Sequence, residues 1–155
     1  MKVVIGSETS SFALKEAIKA HLIGLGYEVL DVGCLDVNDG TLYYESSSRV
    51  AEAIQQGVAE RGITICGTGA GASLIANKHK GVYCVACESV FTAEKISLIN
   101  NANVLGLGSR VVSFDMGCEM AEKFLAGKWC DGFATERRLN NERGYAKMQE
   151  IENNQ

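Results

Sequence analysis

The chain has 155 residues, of which 46% are hydrophobic and 22% charged, and its formal net charge at neutral pH is -4. This composition is typical of one soluble globular domain and excludes a disordered or fibrous protein. Apart from Arg137-Arg138 the basic residues are scattered, so a nucleic-acid partner is not expected. The apolar run near the start is too short for a signal peptide, and no later run is long enough for a membrane span. The sequence therefore predicts a cytoplasmic protein.

Short β-branched runs alternate along the chain with amphipathic segments of helical length. Five strands are predicted, at residues 3–5, 27–32, 63–66, 82–86 and 104–107. The segments between and after them carry apolar residues at helical spacing and predict five helices. Ser10 or Ser11 is the expected cap of the first helix, and Ser113 is the expected cap of the fifth.

The alternation of strands and helices predicts a three-layer α/β/α sandwich around a five-stranded parallel sheet, because each parallel connection crosses over through a helix. We expect a single domain over residues 1–155. The polar segment 36–40 is expected to be a loop near the site. Residues 140–155 are expected to form a C-terminal helical arm.

Six cysteines, at positions 34, 66, 84, 87, 118 and 130, are expected to be free thiols, since a domain of this size needs no disulfides to fold. Cys84 and Cys87 have the spacing of a redox motif. They lie in an apolar, strand-like run in which successive side chains face opposite ways, so a redox or metal role is not favoured. The sequence predicts neither a metal site nor a cofactor.

The segment after the third strand carries the clearest functional signal, because parallel sheets bind ligands outside the carboxyl ends of their strands. It reads Cys66-Gly67-Thr68-Gly69-Ala70-Gly71-Ala72-Ser73. Alternating glycines let successive N–H groups point inward, and the following helix adds its positive end, so an anion is expected there. A tight turn that merely needs glycine would give the same pattern. A thiol beside a helix N-terminus ionises readily, however, and such a thiolate could take a carbon-bound proton.

Several motifs together resemble the ribose-5-phosphate isomerase B and galactose-6-phosphate isomerase family. They are the run 65–73 followed by Ala76-Asn77-Lys78, then Asn101-Ala102-Asn103-Val104-Leu105, and Gly108-Ser109-Arg110-Val111-Val112. The resemblance extends from the first strand to Arg137. It implies a Rossmann-like (flavodoxin-like) sheet and a homodimer or dimer of dimers with sites shared between subunits. It also implies interconversion of an aldose phosphate and its ketose through a cis-enediolate.

The resemblance assigns roles to individual residues. Cys66 corresponds to the base, and Thr68 to the hydroxyl that moves protons between the sugar oxygens. The enediolate anion hole would be formed by N–H groups of Gly67, Gly69, Ala70 and Gly71, and each such donor is typically worth about a hundredfold to a thousandfold in rate. Substrate contacts are implied for Glu8, Thr9, Tyr43, Ser73 and Asn100. Phosphate contacts are implied for Arg110 and for Arg137, the latter in the neighbouring subunit's site.

Three positions depart from the family pattern. Glu8-Thr9 stands where the family usually has Asp-His, Ile99 replaces the ring-opening histidine, and Phe133 replaces an arginine. A ring-opening group is needed only when the substrate closes into a hemiacetal. A tetrose 4-phosphate cannot form the five-membered ring, because its terminal oxygen carries the phosphate. The pattern therefore predicts an isomerase of erythrulose 4-phosphate and erythrose 4-phosphate.

Two alternatives stay open from the sequence. One is a pentose or hexose phosphate isomerase, with the missing histidine supplied by a partner subunit; the chain's own His21 and His79 are expected to be helix and surface residues. The other is a non-catalytic sugar-phosphate binding protein, against which the retention of both Cys66 and Thr68 argues.

Overall fold

A computed structural model describes residues 1–154, and its five strands form one parallel sheet. The strands are β1 (Lys2–Ser7), β2 (Glu28–Asp31), β3 (Arg61–Cys66), β4 (Cys84–Ala86) and β5 (Val104–Gly108). They lie in the order β2-β1-β3-β5-β4. Relative to the flavodoxin order 2-1-3-4-5, only the last two strands are exchanged. The predicted Rossmann-like, three-layer α/β fold is confirmed.

Six helices and one short 3-10 turn at Thr9–Ser11 surround this sheet. The helices are α1 (Phe12–Gly24), α2 (Tyr43–Gln55), α3 (Ala70–Ala76), α4 (Val90–Asn100), α5 (Phe114–Ala126) and α6 (Thr135–Asn153). Helices α1 to α4 connect successive strands, whereas α5 follows the last strand. In the described part of the chain, no helix combines the length and apolarity needed to cross a membrane.

The sheet separates two hydrophobic cores, which explains why its strands are apolar on both faces. Val3 and Ile5 of β1 point into the larger core with apolar side chains of α1, α4 and α5. Val4 points into the smaller core with those of α2 and α3. Each fully buried side chain of this size stabilises the fold by about 1.5–3 kcal/mol. Cys84 lies in the smaller core and Cys87 in the larger one, so the two thiols face opposite sides of the sheet.

Burial makes these two thiols poor nucleophiles, since it raises the pKa of Cys84 to about 12 and that of Cys87 to about 11. All six cysteines are free. In residues 1–154 no group of three or more His, Cys, Asp or Glu side chains is arranged to hold a metal ion.

Both predicted helix caps occupy N-cap positions, but only one of them makes a capping hydrogen bond. The Ser113 hydroxyl accepts a hydrogen bond from the Met116 N–H at 3.2 Å, as an N-cap does. Ser11 precedes α1, but its hydroxyl makes no capping bond and lies 2.8 Å from the Ser109 hydroxyl. This contact fastens the turn after β1 to the turn after β5.

The C-terminal helix α6 begins at Thr135, before the predicted boundary at residue 140. The Tyr145 ring lies 5.4 Å from the ring of Tyr83 and 5.1 Å from that of Trp129. The Glu152 carboxylate accepts hydrogen bonds from the Gly81 N–H at 2.7 Å and the Tyr83 hydroxyl at 3.0 Å. The helix therefore packs against its own chain at the start of β4.

Candidate active site

A pocket of about 260 Å³ opens outside the carboxyl ends of β1 and β3. This is the switch point of the sheet, because the chain runs from β1 to β2 on one side, whereas β3 pairs on the other side with β5, beyond which β4 lies. Its lining residues are Glu8, Tyr43, Cys66, Gly67, Thr68, Gly71 and Arg110. All seven were predicted from the sequence. We call this group the thiol site.

Cys66 is the last residue of β3 and is only 5% exposed. Its sulfur accepts a hydrogen bond from the Gly69 N–H at 3.2 Å, and its carbonyl accepts one from the Ser109 N–H at 2.9 Å. Helix α3 begins at Ala70, so the sulfur also lies beside the first turn of a helix. The sulfur thus lies between a backbone N–H donor and the first turn of α3, at the mouth of the pocket.

The glycine loop uses part of its hydrogen-bonding capacity within the protein. The Gly67 N–H donates to Glu8 Oε1 at 2.8 Å, and the Gly69 N–H is bound to the Cys66 sulfur. The Ala70 N–H lies 3.4 Å from the Thr68 hydroxyl oxygen. Among the four predicted anion-hole donors, Gly71 is the one that lines the pocket and whose N–H takes part in none of these three hydrogen bonds.

Strand β5 forms the support on which the glycine loop lies. A Cβ atom at Gly108 would lie 2.6 Å from the Thr68 carbonyl carbon, and one at Gly106 would lie 2.0 Å from the Ser73 hydroxyl. Gly69 has a φ of +81°, in the left-handed region that favours glycine. The sequence analysis did not assign a role to Gly106 and Gly108. Glycines within a strand are a signal of close backbone approach.

Two side chains of opposite charge flank Gly67. A Cβ built at this residue would lie 3.9 Å from Glu8 Oε1 and 3.6 Å from Arg110 Nε. The backbone N–H of Arg110 also donates a hydrogen bond to the Gly67 carbonyl at 3.0 Å. The Tyr43 ring covers the next turn, since a Cβ at Gly71 would lie 2.9 Å from its Cε2 atom. The pocket thus presents a carboxylate, a guanidinium and a phenol around one thiol.

Thr9 lies beside the thiol site and faces a loop instead of the pocket. Its hydroxyl donates to Asp39 Oδ1 and to the Thr41 carbonyl, both at 3.2 Å. Asp39 in turn accepts the N–H groups of Leu35 and Thr41, each at 2.8 Å. These donors, led by the Thr41 N–H, hold the pKa of Asp39 well below its usual range. Thr9 therefore fixes the loop that was predicted near the site.

Ser73 is buried beneath the glycine loop. Its hydroxyl donates to the Gly69 carbonyl at 2.8 Å, and it does not line the pocket. In this structure its contribution is to hold the loop, not to face a ligand.

Asn100 and Arg137 do not reach the thiol site within one chain. Asn100 ends α4 just before β5, whose first residue, Val104, pairs with Gly62. Gly62 precedes Cys66 by four residues, a distance of about 13 Å along the strand. Asn100 therefore lies near the amino ends of the strands, at the opposite end from Cys66. Arg137, the predicted phosphate contact, lines a different pocket from Cys66.

Residues near the end of α4 are joined by hydrogen bonds to the loop that precedes α6. The loop between α5 and α6 is tied to the end of α4 by the Cys130 N–H, which donates to the Leu98 carbonyl at 2.9 Å, and by the Trp129 indole N–H, which donates to the Ile99 carbonyl at 3.3 Å. Beyond this loop, the Arg137 guanidinium lies 5.9 Å from the centre of the Phe133 ring. We call the group Ile99, Asn100, Phe133 and Arg137 the Arg137 patch.

A larger pocket, of about 430 Å³, lies beside this patch. Its lining residues are Ala134, Glu136, Arg137, Asn140 and Arg143. Its charged side chains are two arginines and one glutamate, so its chemistry suits the binding of an anion.

Neither histidine lines either pocket. His21 Nε2 lies 3.1 Å from a Glu122 carboxylate oxygen on the outer surface of α1 and α5. His79 lies 2.9 Å from the Ser48 hydroxyl and 3.3 Å from Gln55 Oε1. Both are engaged with side chains outside the thiol site, as expected for helix and surface residues.

One family of proteins matches most of the chain. The ribose/galactose isomerase family matches residues 3–141. The chain belongs to this family. It is 50% identical over 125 residues to 4-deoxy-4-sulfo-D-erythrose isomerase of Clostridium sp. (strain MSTE9), covering 81% of this chain and 79% of the relative. It is 34% identical over 143 residues to D-erythrulose-4-phosphate isomerase 2 of Mycolicibacterium smegmatis, covering 91% of this chain and 94% of the relative.

The solved structures agree with this assignment. Ribose-5-phosphate isomerase B of Clostridium thermocellum superposes with a TM-score of 0.89 at 35% identity and covers 99% of both chains. The predicted class, a sugar-phosphate aldose-ketose isomerase, is confirmed at the level of the family.

Proposed function

We propose that the protein interconverts an open-chain four-carbon aldose and its ketose, with a strong anion on C4, by a cis-enediolate mechanism centred on Cys66. The observation that carries this proposal is the composition of the pocket. It holds a thiol whose sulfur accepts a backbone N–H and lies beside a helix start, but neither histidine of the chain. Such a pocket can move a carbon-bound proton but has no imidazole with which to open a sugar ring.

The reaction needs no external oxidant, because one carbon is oxidised as its neighbour is reduced. The Cys66 thiolate takes the proton from C2 of the aldose, and the electron pair forms the C1–C2 double bond of an enediolate. In this proposal the N–H of Gly71 and the Arg110 guanidinium, which line the pocket with Cys66, stabilise the negative oxygen. Arg110 thus serves the enediolate instead of the phosphate contact that the family resemblance implied. Thr68 transfers the hydroxyl proton from O2 to O1. The Cys66 thiol then returns a proton to C1, which leaves the carbonyl on C2.

We further propose a homodimer, or a dimer of such dimers, in which the Arg137 patch of one protomer completes the thiol site of another. This proposal is supported by the separation of the thiol site and the Arg137 patch within one chain. A two-fold axis brings such separated surfaces together twice, which generates two complete sites. The metabolic substrate is consistent with a cytosolic location, which we include in the proposal.

Two C4 anions are candidates, and the sulfonate comes first. The relative with 50% identity is named for 4-deoxy-4-sulfo-D-erythrose, and the relative with 34% identity is named for D-erythrulose 4-phosphate. Neither compound has a free oxygen on C4, so neither can close a five-membered hemiacetal. Both therefore fit a pocket without a ring-opening histidine.

Steady-state kinetics on three aldoses tests the substrate class. We expect kcat/KM for 4-deoxy-4-sulfoerythrose or erythrose 4-phosphate to exceed that for ribose 5-phosphate by at least about a hundredfold, a difference of about 2.7 kcal/mol in transition-state stabilisation. Efficient turnover of ribose 5-phosphate with none of either tetrose would overturn the proposal and favour a pentose phosphate isomerase.

Hydrogen exchange separates an enzyme from a binding protein. In deuterium oxide an isomerase exchanges the C2 hydrogen of its substrate, whereas a silent binder does not. Exchange should disappear in Cys66→Ala and persist in Cys118→Ala, since Cys118 lies on α5 away from both pockets.

Mixing of two inactive variants tests the shared site. Cys66→Ala and Arg137→Ala disable different groups, so a mixed dimer contains one site with both intact residues. After exchange of subunits at equal concentration, activity should return to about a quarter of the wild-type value. Activity that stays at the level of the separate variants would show that each chain acts alone.

A further inference from the structure

We infer that Phe133 is a specificity-determining residue. It holds the Arg137 guanidinium by stacking and limits the positive charge at the pocket beside the Arg137 patch. As a result, a C4 sulfonate is preferred to a C4 phosphate. This inference rests on the proposed function, because it concerns which anion the same site accepts.

The first support is the way in which Phe133 is held. Its N–H lies 3.4 Å from the Cys130 carbonyl, and Cys130 has a φ of +61°, in the left-handed region that non-glycine residues rarely adopt. Asn141, the one buried residue of α6, directs its amide NH₂ at the Cys130 sulfur at 3.8 Å. The ring is thus attached to a constrained turn, and the guanidinium 5.9 Å from its centre is held by a cation–π contact.

The second support is the charge of the adjoining pocket. Its lining contains two arginines, Arg137 and Arg143, against one glutamate, Glu136, which gives a net charge of one. Arg138 does not line this pocket, and its guanidinium lies 3.6 Å from the Glu142 carboxylate. A single net positive charge balances a monoanion and leaves a dianion undercompensated.

The two candidate anions differ in their charge at neutral pH. A sulfonate remains a monoanion throughout the range in which proteins are stable, whereas a phosphate monoester loses its second proton near pH 6 and is largely dianionic at pH 7. An aromatic ring at position 133 offers the third oxygen of either group no hydrogen-bond donor. An arginine there would add both a donor fork and a charge.

The decisive measurement is kcat/KM for both tetroses in the wild type, in Phe133→Arg and in Phe133→Trp. We expect the sulfonate-to-phosphate ratio to fall by at least tenfold in Phe133→Arg and to stay unchanged in Phe133→Trp, which keeps the stacking ring. In Phe133→Leu, KM should rise by a similar factor for both substrates, because the guanidinium loses its support while the charge stays the same. Arg138→Ala is the matched control and should change neither KM.

An unchanged ratio in Phe133→Arg, with both tetroses still converted, would overturn the inference and leave the proposed function intact. Failure of the wild type to convert either tetrose would overturn the proposed function instead. The pH dependence of the wild-type KM requires no variant. Between pH 7.5 and pH 5.5 the KM for the phosphate should fall as its monoanion accumulates, while that for the sulfonate stays constant; parallel behaviour would also contradict the inference.

Discussion

The thiol site and the Arg137 patch differ in how firmly the fold holds them. Cys66 and its loop lie at the ends of buried strands, and the loop rests directly on the glycines of β5. Arg137 is exposed on the first turns of α6 and is held by one aromatic contact. Proton transfer from carbon requires reacting atoms placed within about 0.5 Å, whereas recognition of an anion tolerates more variation. Two of the three departures from the family pattern, Ile99 and Phe133, accordingly fall in the patch.

Removal of the Cys66 thiol should have the largest effect on activity. It should also distinguish the catalytic role of the thiol site from the binding role of the Arg137 patch. We expect Cys66→Ala to lower kcat by about a thousandfold or more, because the base is lost. Affinity for a C4 sulfonate or phosphate should change by less than about threefold, since the Arg137 patch is untouched. Kinetics and isothermal titration measure the two quantities. Retention of a tenth of wild-type kcat would show that another group is the base.

Gly108→Ala tests whether the thiol site depends on its support. The added Cβ would lie 2.6 Å from the Thr68 carbonyl carbon, so the loop must move. We expect a loss of about 1–3 kcal/mol in the free energy of unfolding together with a fall in kcat. Gly24→Ala is the matched control, because Gly24 ends α1 with open space around it, and this change should be neutral or slightly stabilising. Urea unfolding and kcat would be compared, and equal effects of the two variants would contradict the model of a supported loop.

Glu8 tests whether the thiol site needs a charge or only a hydrogen bond. Its carboxylate accepts the Gly67 N–H at 2.8 Å, and a glutamine oxygen at this position can do the same. Glu8→Ala should lower kcat about tenfold, equivalent to about 1.4 kcal/mol, because the loop loses one anchor. Glu8→Gln should stay within about threefold of the wild type if anchoring is the main role. An equal loss in both variants would instead assign the carboxylate a part in proton transfer.

Substitution of Asp39 should have the smallest effect, a pH-dependent change in the free energy of unfolding. The pKa of this carboxyl is lowered in the folded state, so its stabilising contribution is present above the ordinary value of 3.8 and is lost as pH falls below it. Asp39→Asn should therefore be slightly less stable than the wild type at about pH 7, and the difference should shrink toward about pH 3. Urea unfolding at the two pH values measures it. A difference that grows on acidification would have the wrong sign.

The grouping of residues that are close together along the chain could be predicted from the sequence. Cys66, Thr68 and the glycines follow one strand without interruption, so their proximity did not depend on tertiary structure. The partner of a hydroxyl group could not be predicted where several acceptors and donors compete for it. Ser11 stands at a capping position, but Ser109, distant in sequence, takes its hydrogen bond. The sequence contains no local signal for that competition.

The start of α6 could not be predicted for another reason. Residues 135–140 are all exposed, so the first turns of α6 carry no apolar stripe from which a helix could be recognised. The end of the sheet at which Asn100 lies does follow from the sequence, because Asn100 precedes β5 and all strands of a parallel sheet run in one direction. Cys66 ends β3 and therefore lies at the other end of the strands, in agreement with the pairing of Val104 and Gly62.

The chain carries a single tryptophan, Trp129, and its indole N–H is bound to the carbonyl of Ile99. Its intrinsic fluorescence is therefore a natural optical reporter of the surface where a second subunit and the substrate anion are expected to meet. Subunit exchange and ligand entry could be followed in real time without a dye. The same signal would remain available in Cys66→Ala, in which binding continues while chemistry has stopped.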